Sequence, residues 1–279
     1  MSWLITGSQK VNWTPADIST ALWLDAADAG TITADGSNLI SNVNDKSGNG
    51  KNLTSSGSNR PTYTVAGQNN KNIITFNGEH RLTASTASDW GFLHSAASSV
   101  FVVCKMGASS NPDAAYALYA TRLGGGGSGV YFLYDDRLSS PANNQIIVAM
   151  RGESFTTFVD FSTADNYFTP NTASQLSLLS DMSQPVAANR ALLRLNGTNL
   201  VAPNTQTTTA VSSTPTFALT LGGVNATFPL VGFIAEFVVT SSVASTEIRQ
   251  KMEGYLAHKW GLTASLPSDH PFKTAIPVP

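Results

Sequence analysis

The residues that could do chemistry are few, and their spacing restricts what they could do. Retaining glycoside hydrolysis needs two carboxyls about 5–5.5 Å apart, which on one strand means acids at alternating positions. No strand-like run offers Glu-x-Asp or Glu-x-x-Glu; Glu236 stands alone within Phe233 to Val239, and Glu79 stands alone after a turn. Asp135 and Asp136 are adjacent, so as strand residues they would point to opposite faces. His80, His94, His258 and His270 lie in no serine or cysteine nucleophile motif and in no zinc spacing, and Gly124 to Gly127 lacks the lysine of a phosphate loop. The expected character is non-enzymatic, with no required cofactor.

Two groups of residues suit binding. Asp45 and Asn49 place hard oxygens on a tight turn, as a calcium site would. The alternative for the same loop is an Asx turn, with Asp45 bonding the amides of Ser47 and Gly48. Sugar recognition uses an aromatic face against the pyranose ring and polar groups on its hydroxyls. Trp90, the run Tyr134, Asp135, Asp136 and Arg137, and the amides Asn143 and Asn144 are the candidates, with Tyr167 a weaker one. The alternatives are a core position for Trp90 and a solvated hairpin end for the Tyr134 run.

The elements that must position these groups follow from composition. Of 279 residues, only 12% are charged, against about 25% in an average domain. The net charge of −2 argues against a nucleic-acid partner. The surface must instead be built from Ser, Thr, Asn, Gln and Gly, which favour turns and strand faces. About ten short apolar runs separated by turn clusters, among them Ile73 to Phe76, Val100 to Cys104, Val130 to Tyr134 and Phe233 to Val239, predict an antiparallel sandwich. Asn77-Gly78 and Asn196-Gly197 are tight-turn signals.

Cys104, alone and among apolar neighbours, reads as a core residue. One helix is expected over 246–260, capped by Ser245 or Thr246 and ended by Gly261. Thr14-Pro15 marks a first helical turn, with residues 1–14 forming an arm anchored by Trp3 and Trp13. No signal-peptide pattern and no membrane-length apolar run is present, so membrane insertion is not expected.

The segments Ala21-Leu-Trp-Leu-Asp-Ala26, Asp45-Lys-Ser-Gly-Asn-Gly50 and Ile73-Ile-Thr-Phe-Asn-Gly78 resemble the opening of a laminin-G-like, concanavalin A-like jelly roll. Gly232-Phe-Ile-Ala-Glu-Phe237, Glu253 to Leu262 and Leu266-Pro-Ser-Asp-His-Pro271 resemble its closing strand, helix and strap. Relatives often carry an aromatic before the Asp-Lys-Ser-Gly segment, where this chain has Asn42-Val-Asn44. The resemblance implies an all-β, antiparallel two-sheet jelly-roll sandwich with a short C-terminal helix, one domain over 15–279. Such domains occur in bacterial surface proteins and bacteriophage structural proteins. The implied role is a virion protein, in tail or decoration, meeting host-surface polysaccharide or neighbouring virion proteins and able to form homo-oligomers. A glycan-degrading enzyme of the same fold and a ligand-free cement protein are the two alternatives.

Overall fold

The computed structural model describes residues 12–107, 115–122, 127–137, 144–152, 157–163, 167–200, 204–205, 214–223 and 228–279. In chain order the strands are β1 (Leu22–Asp25), β2 (Ile32–Ala34), β3 (Ile40–Val43), β4 (Leu53–Thr54), β5 (Thr62–Gln68), β6 (Lys71–Asn77), β7 (Leu82–Ala84), β8 (Ala97–Met106) and β9 (Ala115–Ala120). They continue as β10 (Gly129–Asp135), β11 (Gln145–Arg151), β12 (Thr157–Ser162), β13 (Ser174–Asp181), β14 (Ala191–Leu195), β15 (Thr198–Asn199), β16 (Asn204–Thr205), β17 (Thr220–Leu221) and β18 (Val231–Thr240). A four-residue helix, α1 (Phe92–Ser95), precedes β8, and the long helix α2 (Thr246–Trp260) follows β18.

All strand pairings are antiparallel and form two sheets. The eight-stranded sheet runs β15-β14-β13-β8-β18-β6-β5, with β1 also on β18. The ten-stranded sheet runs β16-β12-β11-β10-β9-β17-β7-β4-β3-β2. β18 is the organising strand. One of its edges pairs with β8, with an irregularity between Ile234 and Glu236; the other pairs first with β6 and then with β1.

The core lies between the sheets. Tyr119 and Phe132 stack across β9 and β10 at 5.5 Å, and Phe237 of the facing sheet meets Tyr119 edge-on at 5.5 Å. A second apolar layer covers the other side of the eight-stranded sheet, where Met252, Leu256 and Trp260 of α2 pack on Phe101, Val103 and Val238. β8 and β18 are therefore buried on both faces, which explains why their sequences are continuous apolar runs without alternation. Cys104 is one such core residue, and burial pushes its thiol pKa up.

The helix ends as its sequence dictates. The Ser245 side chain accepts from the Ile248 amide, and Gly261 takes the left-handed conformation at φ 74°. Pro15–Asp17 form a 3-10 turn with a complete capping box on Thr14. Trp13 is buried against Tyr255, and its amide bonds Pro277 O at 2.9 Å. Trp3, Asn143 and most of the Gly124–Gly127 run lie outside the described residues.

Candidate functional site

The segments that carry the sequence resemblance converge beneath α2. Asp25 on β1 and Glu236 on β18 are directly opposite in register. Both carboxylates reach Lys259 Nζ, at 2.7 and 2.8 Å. Glu236 also accepts from Trp23 Nε1 at 2.8 Å, Trp260 Nε1 at 2.7 Å and Tyr255 Oη at 2.9 Å. Lys46 closes the other side, 3.0 Å from Asp25 and 2.8 Å from Asp28. Burial holds the Glu236 carboxyl above the usual carboxylate range, Lys259 offsets this in part, and neighbouring Asp25 pushes it further up.

The carboxylate pair absent along any one strand thus exists across two strands. Its oxygens, however, are occupied by lysines and indoles under a helix, where no substrate reaches them. This cluster ties α2 to the sheet.

A second cluster does the same further along the helix. Glu253 is 2.6 Å from Arg194 Nε, 3.3 Å from Arg249 Nη1 and 3.2 Å from His270 Nε2. Arg194 also bonds Asn199 Oδ1 and Gly197 O. Burial opposes the Glu253 charge, but His270, Arg194 and then Arg249 outweigh it and lower the pKa below 4.5.

A carboxyl with a depressed folded pKa contributes stability that is complete above its unfolded value and lost as pH falls through the folded one. Thermal melts of Glu253→Gln and the parent chain should therefore differ most near neutral pH. The gap should narrow progressively below about pH 4.5. A gap independent of pH would show that Glu253 titrates normally.

The Asp45 loop is an Asx turn. Asp45 Oδ1 accepts from the Ser47 amide at 2.8 Å and the Trp23 amide at 3.0 Å. Its Oδ2 accepts from Ser47 Oγ at 2.7 Å and the Lys51 amide at 3.1 Å. Asn49 turns its Nδ2 to Thr20 O at 2.8 Å. Four donors take the Asp45 oxygens and Asn49 presents a donor, so the loop is a turn that braces β1. Among the described residues no group of three His, Cys, Asp or Glu is placed to hold a metal.

The sugar-platform candidates are not assembled on one surface. Trp90 is 1% exposed and part of the core, so its ring offers no free face. Tyr134 is fully buried on the inner side of β10, stacked on Tyr116 at 5.8 Å and bonded to Asn144 Oδ1. Asp135 is on the opposite, outer side, also buried, and held by Arg137 through Nε at 2.8 Å and Nη2 at 2.6 Å. Asp136 is half-buried beside them and Tyr167 packs against the core. Strand alternation separates Tyr134 from Asp135, and the Arg137 fork is spent on its own neighbour.

The open polar surface lies elsewhere, on the outer face of the ten-stranded sheet. Register places Thr33, Asn42, Thr54, Thr83 and Thr220 side by side across β2, β3, β4, β7 and β17. With strands about 4.8 Å apart, this row of hydroxyls and one amide is about 19 Å long; it is exposed at Thr33 and Thr54, half-buried at Asn42 and Thr83, and buried at Thr220. The row continues through Ala120 to the half-buried Tyr131.

Beside it is a cleft of about 360 Å³ lined by Thr54, Ser55, Ser56, Asn59, Arg81 and Thr83. Arg81 precedes β7 two residues before Thr83, so the two share a face. Among the described residues no carboxylate lies within ion-pair distance of Arg81, and Ser55 Oγ is buried without a hydrogen-bond partner. The eight-stranded sheet also carries a cleft, of about 510 Å³, whose lining includes Thr64, Thr75, Asn77, Lys105 and Asn171 together with the apolar Ile73, Phe76, Val231 and Phe233.

Nothing singled out this row in advance, because β4 and β7 are two and three residues long. The one signal available was Arg81-Leu82-Thr83-Ala84, which alternates polar and apolar as a strand with one wet face does.

Two antiparallel sheets face to face define an antiparallel β-sandwich. Among solved structures, the chain is similar to the botulinum neurotoxin type G receptor-binding domain, with TM-score 0.53, 14% identity, and 83% of this chain and 50% of that one covered. It is also similar to the receptor-binding domain of botulinum neurotoxin D, with TM-score 0.54, 14% identity, and 82% and 50% covered. The serotype D ligand-binding domain in complex with N-acetylneuraminic acid gives TM-score 0.53, 14% identity, and 83% and 49% covered. The chain spans about half the length of these structures, and the likeness is one of fold. No family model matches the sequence, and no curated protein matches it.

Proposed function

We propose that the chain is a non-catalytic, glycan-binding sandwich domain. Its ligand face is the outer side of the ten-stranded sheet at β3, β4 and β7. One observation carries this: the row Thr33–Asn42–Thr54–Thr83 and its adjoining cleft concentrate hydroxyl, amide and guanidinium groups on a sheet face that α2 does not cover. An extended polar track suits a polymer of hydroxyl-rich units. The neurotoxin domains support the reading, since one of them, about half of which is matched by this chain, was determined in complex with N-acetylneuraminic acid.

The charge-poor composition and the resemblance to bacteriophage structural domains support a particle-borne setting. In that setting the domain would sit on a virion and meet host-surface polysaccharide. Mass spectrometry of purified particles tests the setting: the chain should be among their proteins, and its absence from them would remove it.

A glycan array probed with the chain tests the binding. Saturable binding to a defined oligosaccharide class is expected, with loss in the double variant Thr54→Val, Thr83→Val at an unchanged melting temperature. Release of reducing ends from the bound glycan would replace this reading with an enzymatic one.

A further inference from the structure

We infer that the Arg81 cleft selects carboxylate-bearing sugars, uronates or sialates, over neutral ones. This rests on the glycan-binding reading of the same face and names its ligand class. The lining of the cleft is polar throughout, with no aromatic ring among its six residues. Stacking therefore contributes nothing, and binding must come from hydrogen bonds.

A neutral hydroxyl on a neutral hydroxyl gains little, because each such bond replaces one to water. Charge-assisted bonds are roughly twice as strong. The one ionised group available is the Arg81 guanidinium, a planar fork that matches a carboxylate through two parallel bonds.

One observation sets this fork apart from its neighbours. Each neighbouring cation on this side of the sandwich is already paired: Arg60 with Asp35 at 2.7 Å, and Lys51 with Asp89 at 2.9 Å. Arg81 alone of the three has no ion pair among the described residues. A bound carboxylate would supply what the Arg81 guanidinium lacks. The volume of about 360 Å³ is near the lower end for small-molecule sites and suits one sugar unit, with Thr54, Thr83 and Asn59 left for its hydroxyls.

The test is a titration of the full chain with uronate- and sialate-containing oligosaccharides. Each is paired with the same oligosaccharide after reduction of its carboxyls to primary alcohols, which removes the charge and leaves the ring hydroxyls. At least one acidic member should bind at least tenfold more tightly than its reduced partner. Arg81→Gln, which keeps a polar side chain, should erase that difference while its circular dichroism and melting temperature stay those of the parent.

Equal binding of acidic and reduced forms overturns the inference and leaves the glycan reading standing. Acid preference that survives Arg81→Gln also overturns it, by placing the carboxylate elsewhere. Failure of acidic and neutral members alike overturns both.

Discussion

Replacing Glu236 by alanine should lower the unfolding free energy by ~3–5 kcal/mol, the usual cost of breaking a buried ionic cluster from one side. The variant deletes the acceptor for two indole N–H groups, a tyrosine hydroxyl and Lys259 at once. Each donor stranded in the interior costs about 1–3 kcal/mol when water cannot replace the lost partner. Lys259 suffers less, because Asp25 remains 2.7 Å away.

The charge itself is expensive to bury, which is why the Glu236 pKa is raised rather than lowered. Glu236→Gln should therefore be milder than Glu236→Ala, since the amide oxygen still accepts from the indoles. Urea denaturation at constant slope measures both, and the alanine variant should also melt roughly 10 °C lower. Equal and small effects for the two variants would mean that packing alone seats α2 on the sheet.

Gly232→Ala should be worse and should yield little folded protein. Gly232 lies in β18 between β6 and β8 at φ 144°, a region that side chains rarely enter. A β-carbon there would lie 1.8 Å from Lys105 O, a backbone atom of the neighbouring strand that cannot rotate away. Relief would require separating β8 from β18, the strands on which both apolar layers rest. A loss above about 4 kcal/mol belongs to this kind of strain. Soluble yield and native-state hydrogen exchange across β8 and β18 report it. Near-parental stability would contradict the close strand approach.

These two positions also show what a sequence can reveal. α2 was legible because its period, its serine cap and its closing glycine all agree. The sandwich was legible because apolar runs alternate with turn residues throughout. The resemblance segments were legible as well, but their chemistry concerns the fold: Asp25, Lys46, Glu236 and Lys259 are far apart in sequence and meet in one cluster under the helix. An isolated Glu236 gave no hint that its partner was on another strand.

The binding face was hidden for a related reason. Val130 to Tyr134 is apolar or aromatic at every position, so nothing marked Tyr134 as facing inward and Tyr131 outward. The polar row depends on the register of five short strands, which no single segment encodes. Arg81 was not among the candidates, because its lack of an ion pair among the described residues appears only once the strands are assembled.

The central claim is that ligand meets the outer face of the ten-stranded sheet. The most direct measurement is a crystal structure of the chain soaked with an oligosaccharide that it binds saturably in solution. The sugar should lie across β4 and β7, with hydrogen bonds to Thr54 and Thr83 and a terminal group against Arg81. Ordered sugar at any other place on the sandwich, with this face empty, would contradict the account.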